Sequence, residues 1–164
     1  MAEFELIDGF KCYSPKLAIS NNGFSVDSFS FLRQVEENNF WFKVRNRILI
    51  GLIKKYSGRS GNKKLLEIGC GTGYVLSGLS ASTDFQLSGS DIHVEGLKYA
   101  KERIPSAEFI QMDATEMPFK DEFDAIGAFD VIEHISEDEL ALQNIHRSLR
   151  KNGLLYISVP QYMF

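Results

Sequence analysis

The 164-residue sequence lacks the features that mark secreted, metal-binding or membrane proteins. Its two cysteines, Cys12 and Cys70, lie in unrelated contexts and offer neither a disulfide framework nor zinc-ligand spacing. The longest aliphatic run, 48–53, is far shorter than the roughly 20 residues that a membrane span needs. Residues 1–5 are acidic and carry no basic leader of a signal peptide. These absences predict a cytoplasmic protein with reduced thiols.

A basic block is also absent, since 18 Lys and Arg stand against 22 Asp and Glu, a net charge of −4. Binding to a phosphate backbone requires clustered basic side chains. Residues 43–64 hold several lysines and arginines, but this stretch fits a solvated helix face followed by a loop. We therefore expect no nucleic-acid partner.

What is present divides the chain in two. In residues 1–60, short apolar stretches are punctuated by Gly9, Pro15 and Asn22-Gly23, which predicts one or two hairpins with Asn22-Gly23 as a tight turn. Apolar residues at helical spacing then predict a short helix around 31–35 and a longer one over 40–53. We expect this part to form a hairpin and helical cap region.

Residues 61–164 alternate between strand and helix patterns. The predicted strands are 64–68, 85–91, 108–112, 123–129 and 154–159, and the predicted helices are 74–79, 94–104 and 136–150. Ser136 and Glu139 are expected to form a capping box for the last helix. This alternation predicts an α/β domain with a Rossmann-like, doubly wound parallel sheet of about five strands, which binds ligands at the carboxyl ends of the strands.

Three glycines, Gly69, Gly71 and Gly73, follow the first of these strands and open a helix. Glycine lets a ligand approach the main chain closely, and a helix start offers free N–H groups. A dinucleotide-binding G-x-G-x-x-G loop would need a third glycine where Tyr74 or Leu76 stands, and no phosphate-binding lysine follows. The pattern therefore disfavours a nicotinamide-dependent reductase and a P-loop enzyme.

Two carboxylates fall at the ends of the next two strands. Asp91 lies 20 residues after Gly71, where doubly wound folds place an acceptor for ribose hydroxyls. Asp113 ends the following strand and could accept from an adenine amino group. Alternatively, Asp91 is a helix N-cap and Asp113 a turn residue. Because both lie at strand ends beside a glycine loop, we favour ligand binding.

With these residues in place, the chain resembles class I S-adenosylmethionine-dependent methyltransferases over about residues 62–160. It is most similar to the group that includes small-molecule and quinone-biosynthesis methyltransferases. The segments that carry the resemblance, in their order along the chain, are 65–73, Asp91, 112–114 with 117–119, 129–135 and 149–155.

The resemblance implies S-adenosylmethionine as cofactor and assigns it a set of contacts. Glu67, Gly69, Gly71 and Gly73 would contact the methionine part, and Cys70 occupies a variable position of the loop. Those to the nucleoside are Asp91 for the ribose, Ile92 for the adenine face, and Asp113 and Ala114 for the adenine edge. Those beside the sulfonium are Phe129 and Asp130. Trp41 and Arg45 are expected on a helix that closes over the cofactor, with Arg45 reaching its carboxylate.

His134, at the end of the fourth predicted strand, is the candidate general base, because histidine titrates in the useful range. The alternative, which we favour, is that His134 shapes the turn without moving a proton. No Asn/Asp-Pro-Pro-aromatic motif follows that strand, and such a motif is usual in families that methylate planar amino groups. The absence disfavours bases and glutamine as acceptors, and the resemblance implies a small-molecule acceptor.

The complete class I fold has seven strands, whereas only residues 160–164 follow the fifth predicted strand. We accordingly expect a C-terminally truncated sheet that lacks its sixth and seventh strands. An exposed fifth strand would favour a homodimer, and an incomplete acceptor pocket would lower turnover. Two other functions are open: a non-catalytic module that binds S-adenosylmethionine or S-adenosylhomocysteine, and, less favoured, a nicotinamide-dependent reductase.

Overall fold

The computed structural model describes residues 3–19, 26–58 and 61–161. The strands are β1 (Glu5–Ile7), β2 (Phe10–Cys12), β3 (Lys64–Ile68), β4 (Gln86–Asp91), β5 (Glu108–Gln111), β6 (Phe123–Phe129) and β7 (Leu149–Ser158). The helices are α1 (Pro15–Ile19), α2 (Val26–Asn38), α3 (Phe40–Ser57), α4 (Tyr74–Ser80), α5 (Val94–Arg103) and α6 (Asp138–Ser148). Two short 3-10 turns cover Ala114–Glu116 and Ile132–His134. Within these ranges, no helix is long and apolar enough to cross a bilayer.

All strands belong to one sheet with the order β1-β2-β5-β4-β3-β6-β7. Every pair from β2 to β7 is parallel, and only β1 and β2 are antiparallel. The strand order reverses at β3, which has β4 on one side and β6 on the other. Such a reversal opens a crevice at the carboxyl ends of the strands. The predicted Rossmann-like α/β architecture is confirmed.

The predicted count of five strands is wrong, because an N-terminal hairpin adds two more. β1 and β2 are joined by Asp8 and Gly9, both with positive φ (50° and 85°), as a two-residue hairpin turn requires. Lys11 and Cys12 of β2 then pair with β5. The sheet has seven strands, so the expectation of a sheet shortened by truncation is not borne out. The predicted turn at Asn22-Gly23 lies outside the described residues.

The last helix and strand differ from their predicted boundaries. α6 begins at Asp138, and its N-cap Glu137 makes no side-chain capping bond, so the capping box of Ser136 and Glu139 is wrong. β7 begins at Leu149, five residues before the predicted start. There the ion pair of Arg150 with Asp124 (2.7 Å) links β7 to β6. In the described part of the chain β7 pairs with β6 alone, and a homodimer through its free edge stays a prediction.

The sheet is covered on both faces, which explains why β3 reads as a continuous apolar run. Leu65 packs on the face covered by α3, α4 and α5, where Ile53, Leu76 and Leu97 are also buried. Leu66 packs on the opposite face with Ile145 of α6. On this face α5 and its C-cap bury Val94, Leu97, Ala100 and Ile104. A rigid two-faced core therefore holds the carboxyl ends of the strands in place.

Gly69 marks the point where β3 meets the end of β6. Its φ is +64°, and a Cβ built on it would lie 2.2 Å from Cγ2 of Val131. A β-branched side chain cannot swing away from such a contact, so only glycine fits here.

Replacing Gly69 with Ala should lower the free energy of unfolding by at least about 3 kcal/mol, because strain at positive φ adds to overpacking. Urea unfolding measures the loss. The matched control is Gly51→Ala on the exposed side of α3, where an added Cβ meets nothing within 4 Å and should stabilise the helix by about 0.5 kcal/mol. Equal stabilities of the two variants would contradict the tight contact.

Candidate functional site

A cleft of about 970 Å³ lies at the carboxyl ends of β3, β4, β5 and β6. Its volume is at the upper end of the range of small-molecule and cofactor sites. α2 and α3 add walls to it, from Phe29 and Leu32 in the first helix and Phe42 and Arg45 in the second. The crevice created by the reversal of strand order therefore lies where the glycine loop follows β3.

The glycine loop presents backbone to the cleft at Gly71. This residue has φ +50°, and a Cβ built on it would meet nothing within 4 Å, so the space in front of it is open. The Gly71 N–H donates to Oδ2 of Asp91 (2.9 Å), and the Cys70 N–H donates to the Ser90 carbonyl (2.9 Å). The loop is therefore held against the end of β4.

Asp91 links the loop to the start of α5. Its Oδ1 accepts from the His93 N–H (2.9 Å), while His93, not Asp91, is the N-cap of that helix. Burial raises the pKa of Asp91, and the N–H groups of His93 and Gly71 oppose that rise. A carboxylate offers about four lone-pair positions, so both oxygens keep acceptor capacity for a ligand. The structure gives Asp91 a turn-forming role that is compatible with ligand binding.

Asp113 caps the 3-10 turn that follows β5, since its Oδ1 accepts from the Thr115 N–H (2.8 Å). The side chain is partly exposed and lines the cleft. Its own N–H donates to Oγ of Ser14 (3.0 Å), and the fully buried Gln111 holds Ser14 and the Ile92 carbonyl through its side-chain amide. No local pattern in the sequence predicts this support of Asp113 by Ser14.

Glu67 brings a buried carboxylate to the cleft. It is 3% exposed, and within the described ranges its Oε2 has no hydrogen-bond partner. Burial raises the pKa of Glu67 to about 8, and the positive charge of Arg45 opposes that rise. A buried polar atom without a hydrogen-bond partner is costly and indicates a missing partner at the site.

Arg45 reaches the site from α3 and pairs with Asp130 at the end of β6 (2.6 Å). Oδ1 of Asp130 also accepts from the Ser158 hydroxyl (2.9 Å), and the Asp130 N–H donates to the Ser158 carbonyl (2.8 Å). Asp130 has φ +55°, a conformation that costs energy outside glycine and recurs at functional sites. The structure brings together the Arg45 and Asp130 that the sequence singled out separately.

Trp41 lies outside the lining of the cleft, 51% exposed. Its ring centroid is 5.1 Å from that of Phe42 and 5.6 Å from the Arg45 guanidinium. Phe42 occupies the cleft wall instead. A contact of Trp41 with a cofactor stays a prediction.

His134 is exposed at the mouth of the cleft, where its backbone N–H closes a 3-10 turn by donating to the Val131 carbonyl (2.9 Å). Its role as a base stays a prediction. Ile92, Ala114 and Phe129 all line the cleft, and their contacts with a cofactor stay predictions. Burial raises the pKa of the Cys70 thiol well above its usual range, which leaves it protonated and unreactive at neutral pH.

The wall formed by α2 was not predicted. Phe29, Leu32 and Glu36 from this helix line the cleft, and Phe29 is buried. Their spacing of three and four residues fits one face of a helix, which is the only trace of this role in the sequence. The described residues hold no cluster of His, Cys, Asp or Glu that could bind a metal ion.

Residues 66–157 match the methyltransferase domain family. The chain belongs to the S-adenosylmethionine-dependent methyltransferases. It is 30% identical over 123 residues, 74% of its length, to a Mycobacterium tuberculosis protein named probable S-adenosylmethionine-dependent methyltransferase. It is 28% identical over 137 residues, 83% of its length, to the demethylmenaquinone methyltransferase of Chlorobaculum tepidum. These matches span 43% and 55% of the two relatives, about half their length.

A solved structure shows the same fold. Phosphoethanolamine N-methyltransferase 2 of Haemonchus contortus, crystallised with S-adenosylmethionine, superposes with a TM-score of 0.72 at 21% identity. The match covers 85% of this chain and 34% of that one.

The residues present fit the cofactor of the family. S-adenosylmethionine carries a sulfonium, an ammonium group and two ribose hydroxyls, all of which favour carboxylate partners. The cleft offers such partners in the unpartnered Oε2 of Glu67 and in Asp91. The open space before Gly71 lets a ligand lie against the main chain.

The raised pKa of Glu67 makes folding stability fall with pH. Below about pH 4.5 the carboxyl is protonated in both the folded and the unfolded chain. Between that value and about pH 8 the folded chain keeps a proton that the unfolded chain has lost, so alkali favours unfolding. From about pH 5 to about pH 8, the wild type should lose about 3 kcal/mol more stability than Glu67→Gln.

Urea unfolding at the two pH values measures this difference. Glu108→Gln, at the opposite end of the sheet and exposed, should follow the wild type. Parallel pH profiles for the wild type and Glu67→Gln would contradict the buried, protonated carboxyl.

Proposed function

We propose that this chain supports methyl transfer from S-adenosylmethionine to an uncharged, largely apolar small molecule. The observation that carries the proposal is the charge of the cleft. Six carboxyl groups line it (Glu36, Glu67, Asp91, Asp113, Asp130 and Glu137), with one guanidinium, that of Arg45. Burial keeps Glu67 protonated at neutral pH and Glu36 pairs with Arg103, so the negative charge of the cleft comes mainly from the other four. Because Arg45 is already paired with Asp130, the cleft attracts a cationic cofactor and repels an anionic acceptor.

The geometry supports a specific placement of the cofactor. Asp91 would accept from the ribose hydroxyls, with Ile92 on the adenine face. Asp113 and Ala114 would hold the adenine edge. This end of the cleft joins the carboxyl ends of β4 and β5, so the nucleoside would lie across two neighbouring strands.

The methionine part would lie over the glycine loop between Gly69 and Gly73. Glu67 would take the ammonium group, which supplies the donor that its Oε2 lacks. Arg45 would reach the carboxylate, and Phe129 and Asp130 would flank the sulfonium. The cluster of Glu67, Arg45 and Asp130 thus suits a zwitterion beside a positive sulfur.

When bound, the cofactor supplies an electrophilic methyl group. Its transfer to the acceptor requires alignment and exclusion of water more than an enzyme nucleophile. Met112 and Phe129, 2% and 6% exposed, form a dry floor beneath the site. Leu32, Phe42 and Ile135 extend an apolar wall toward the mouth. An apolar acceptor would be held there by burial.

Calorimetry with S-adenosylhomocysteine tests the cofactor site. The wild type should bind, and Asp91→Ala should weaken binding at least about 100-fold, because a hydroxyl acceptor and the anchor of the loop are lost together. Glu108→Gln, remote from the cleft, should bind as the wild type does. No binding by the wild type, or unchanged binding by Asp91→Ala, would refute the proposal.

The acceptor class is tested with two probes in a radiolabelled methyl-transfer assay. Reduced demethylmenaquinone should be methylated, whereas phosphoethanolamine should give no product above background, because its phosphate would enter a cleft of like charge. Cofactor binding without methylation of either probe would favour a non-catalytic binding module. Methylation of phosphoethanolamine alone would contradict the apolar acceptor.

A further inference from the structure

α2 is joined to the glycine loop by a cluster of three side chains, Glu36, Thr72 and Arg103. The Thr72 hydroxyl donates to Oε2 of Glu36 (2.5 Å) and accepts from the Arg103 guanidinium (2.9 Å). The same guanidinium nitrogen donates to Oε2 of Glu36 (3.0 Å) and to the Thr72 carbonyl (3.0 Å). Each member therefore contacts the other two.

This cluster is buried rather than a surface ion pair. The side chains of Arg103 and Glu36 are 10% and 8% exposed, and Thr72 is 1% exposed. The second guanidinium nitrogen donates to Glu37 (3.1 Å), and the plane of the guanidinium lies 5.4 Å from the Tyr74 ring centroid. Removing one partner of such a buried pair leaves an uncompensated charge, so the cluster strongly favours one arrangement.

α2 in turn forms the wall of the cleft beside the nucleoside end. The Phe29 ring lies 5.9 Å from the His93 ring, which follows Asp91 and Ile92. A Cβ on Gly96 would lie 2.8 Å from the Phe29 ring and 3.1 Å from the Gly71 carbonyl. α2, α5 and the glycine loop therefore meet with no room between them.

We propose that Glu36, Thr72 and Arg103 are positioning residues for the cofactor, which hold α2 and the glycine loop in a single arrangement around it. The proposal rests on the proposed cofactor site. Arg103 does not line the cleft, so it acts through Thr72 and Glu36 rather than by touching the cofactor.

The arrangement makes cofactor binding and docking of α2 reciprocal. A cofactor that needs α2 in place also stabilises α2 in place by the same factor, since coupling between two binding events is symmetric. Weakening the cluster should therefore loosen α2 and lower cofactor affinity together.

A neighbouring pair supplies the matched control. Arg33 of α2 and Glu102 of α5 bridge the same two helices (2.7 Å), but their side chains are 32% and 65% exposed. Exposed ion pairs contribute little, so Arg33→Met should change neither docking nor affinity.

The experiment compares the full chain with Thr72→Val, Thr72→Ser, Arg103→Met and Arg33→Met. Calorimetry measures the Kd for S-adenosylhomocysteine, and hydrogen exchange of the chain without ligand measures protection of residues 26–38. Thr72→Val and Arg103→Met should weaken binding about tenfold or more and speed exchange in 26–38, while strands 64–68 and 123–129 stay protected. Thr72→Ser should restore both readouts.

Unchanged affinity or unchanged protection of 26–38 in Thr72→Val would overturn the positioning role while leaving the cofactor site intact. Equal losses in Arg33→Met would also overturn it, because a general loosening of the helix pair would then suffice. If Arg103→Met loses protection in the central strands as well, Thr72→Val decides, since it removes one hydroxyl without exposing a charge. Absence of binding by the wild type would instead refute the proposed function, and this inference with it.

Discussion

The hydrogen bond from the Gly71 N–H to the Asp91 carboxylate is the contact on which the site depends. It joins the loop after β3 to the end of β4, so backbone that lines the cleft is held by a side chain that also lines it. Without this bond, Gly71 itself would no longer be tied to the neighbouring strand. The Cys70 N–H adds a second link to β4, and the Val131 side chain confines the loop from β6. The loop is thus fixed from both sides of the sheet.

The acidic character of the cleft has a cost for the empty protein and a benefit for ligand binding. Glu67 is buried near Glu36 and Asp91, and the like charges of both raise its pKa further. Arg45 compensates only in part, because Asp130 engages its guanidinium directly. A cationic ligand would offset these like charges and lower the pKa of Glu67. The charge of the cleft therefore favours a cationic ligand at a longer range than shape complementarity does.

The central elements could be predicted from the sequence because their patterns are local. β3 is a buried apolar run that ends in glycines, and β6 was predicted at its observed bounds, 123–129. Asp91 ends β4, and Asp113 and Asp130 lie within two residues of the ends of β5 and β6. Their positions at one edge of the sheet therefore followed from the alternation of strands and helices. For this reason the sequence predicted most of the residues at the carboxyl ends of the central strands, which line the cleft.

The rest could not be predicted because it depends on contacts between distant residues. β1 and β2 have three residues each, too few to show a period, although Asp8-Gly9 is a recognisable hairpin turn. Nothing local indicates that this hairpin pairs with β5. Glu36 and Arg103 are 67 residues apart in the chain, and each alone looks like a surface charge on a helix. The capping box failed because Ser136 has the right spacing but lies in a turn before α6 begins.

The pairing of Lys11 with Ile110 and of Cys12 with Gln111 constrains the order in which the strands join during synthesis. β2 can pair with β1 at once, but its other neighbour, β5, is made about a hundred residues later. β3 and β4, by contrast, can pair as soon as both have emerged. The β1-β2 hairpin therefore joins the sheet only after β5 has formed. Until β5 is made, Phe10 and Cys12, which are buried in the folded sheet, remain accessible to chaperones and proteases.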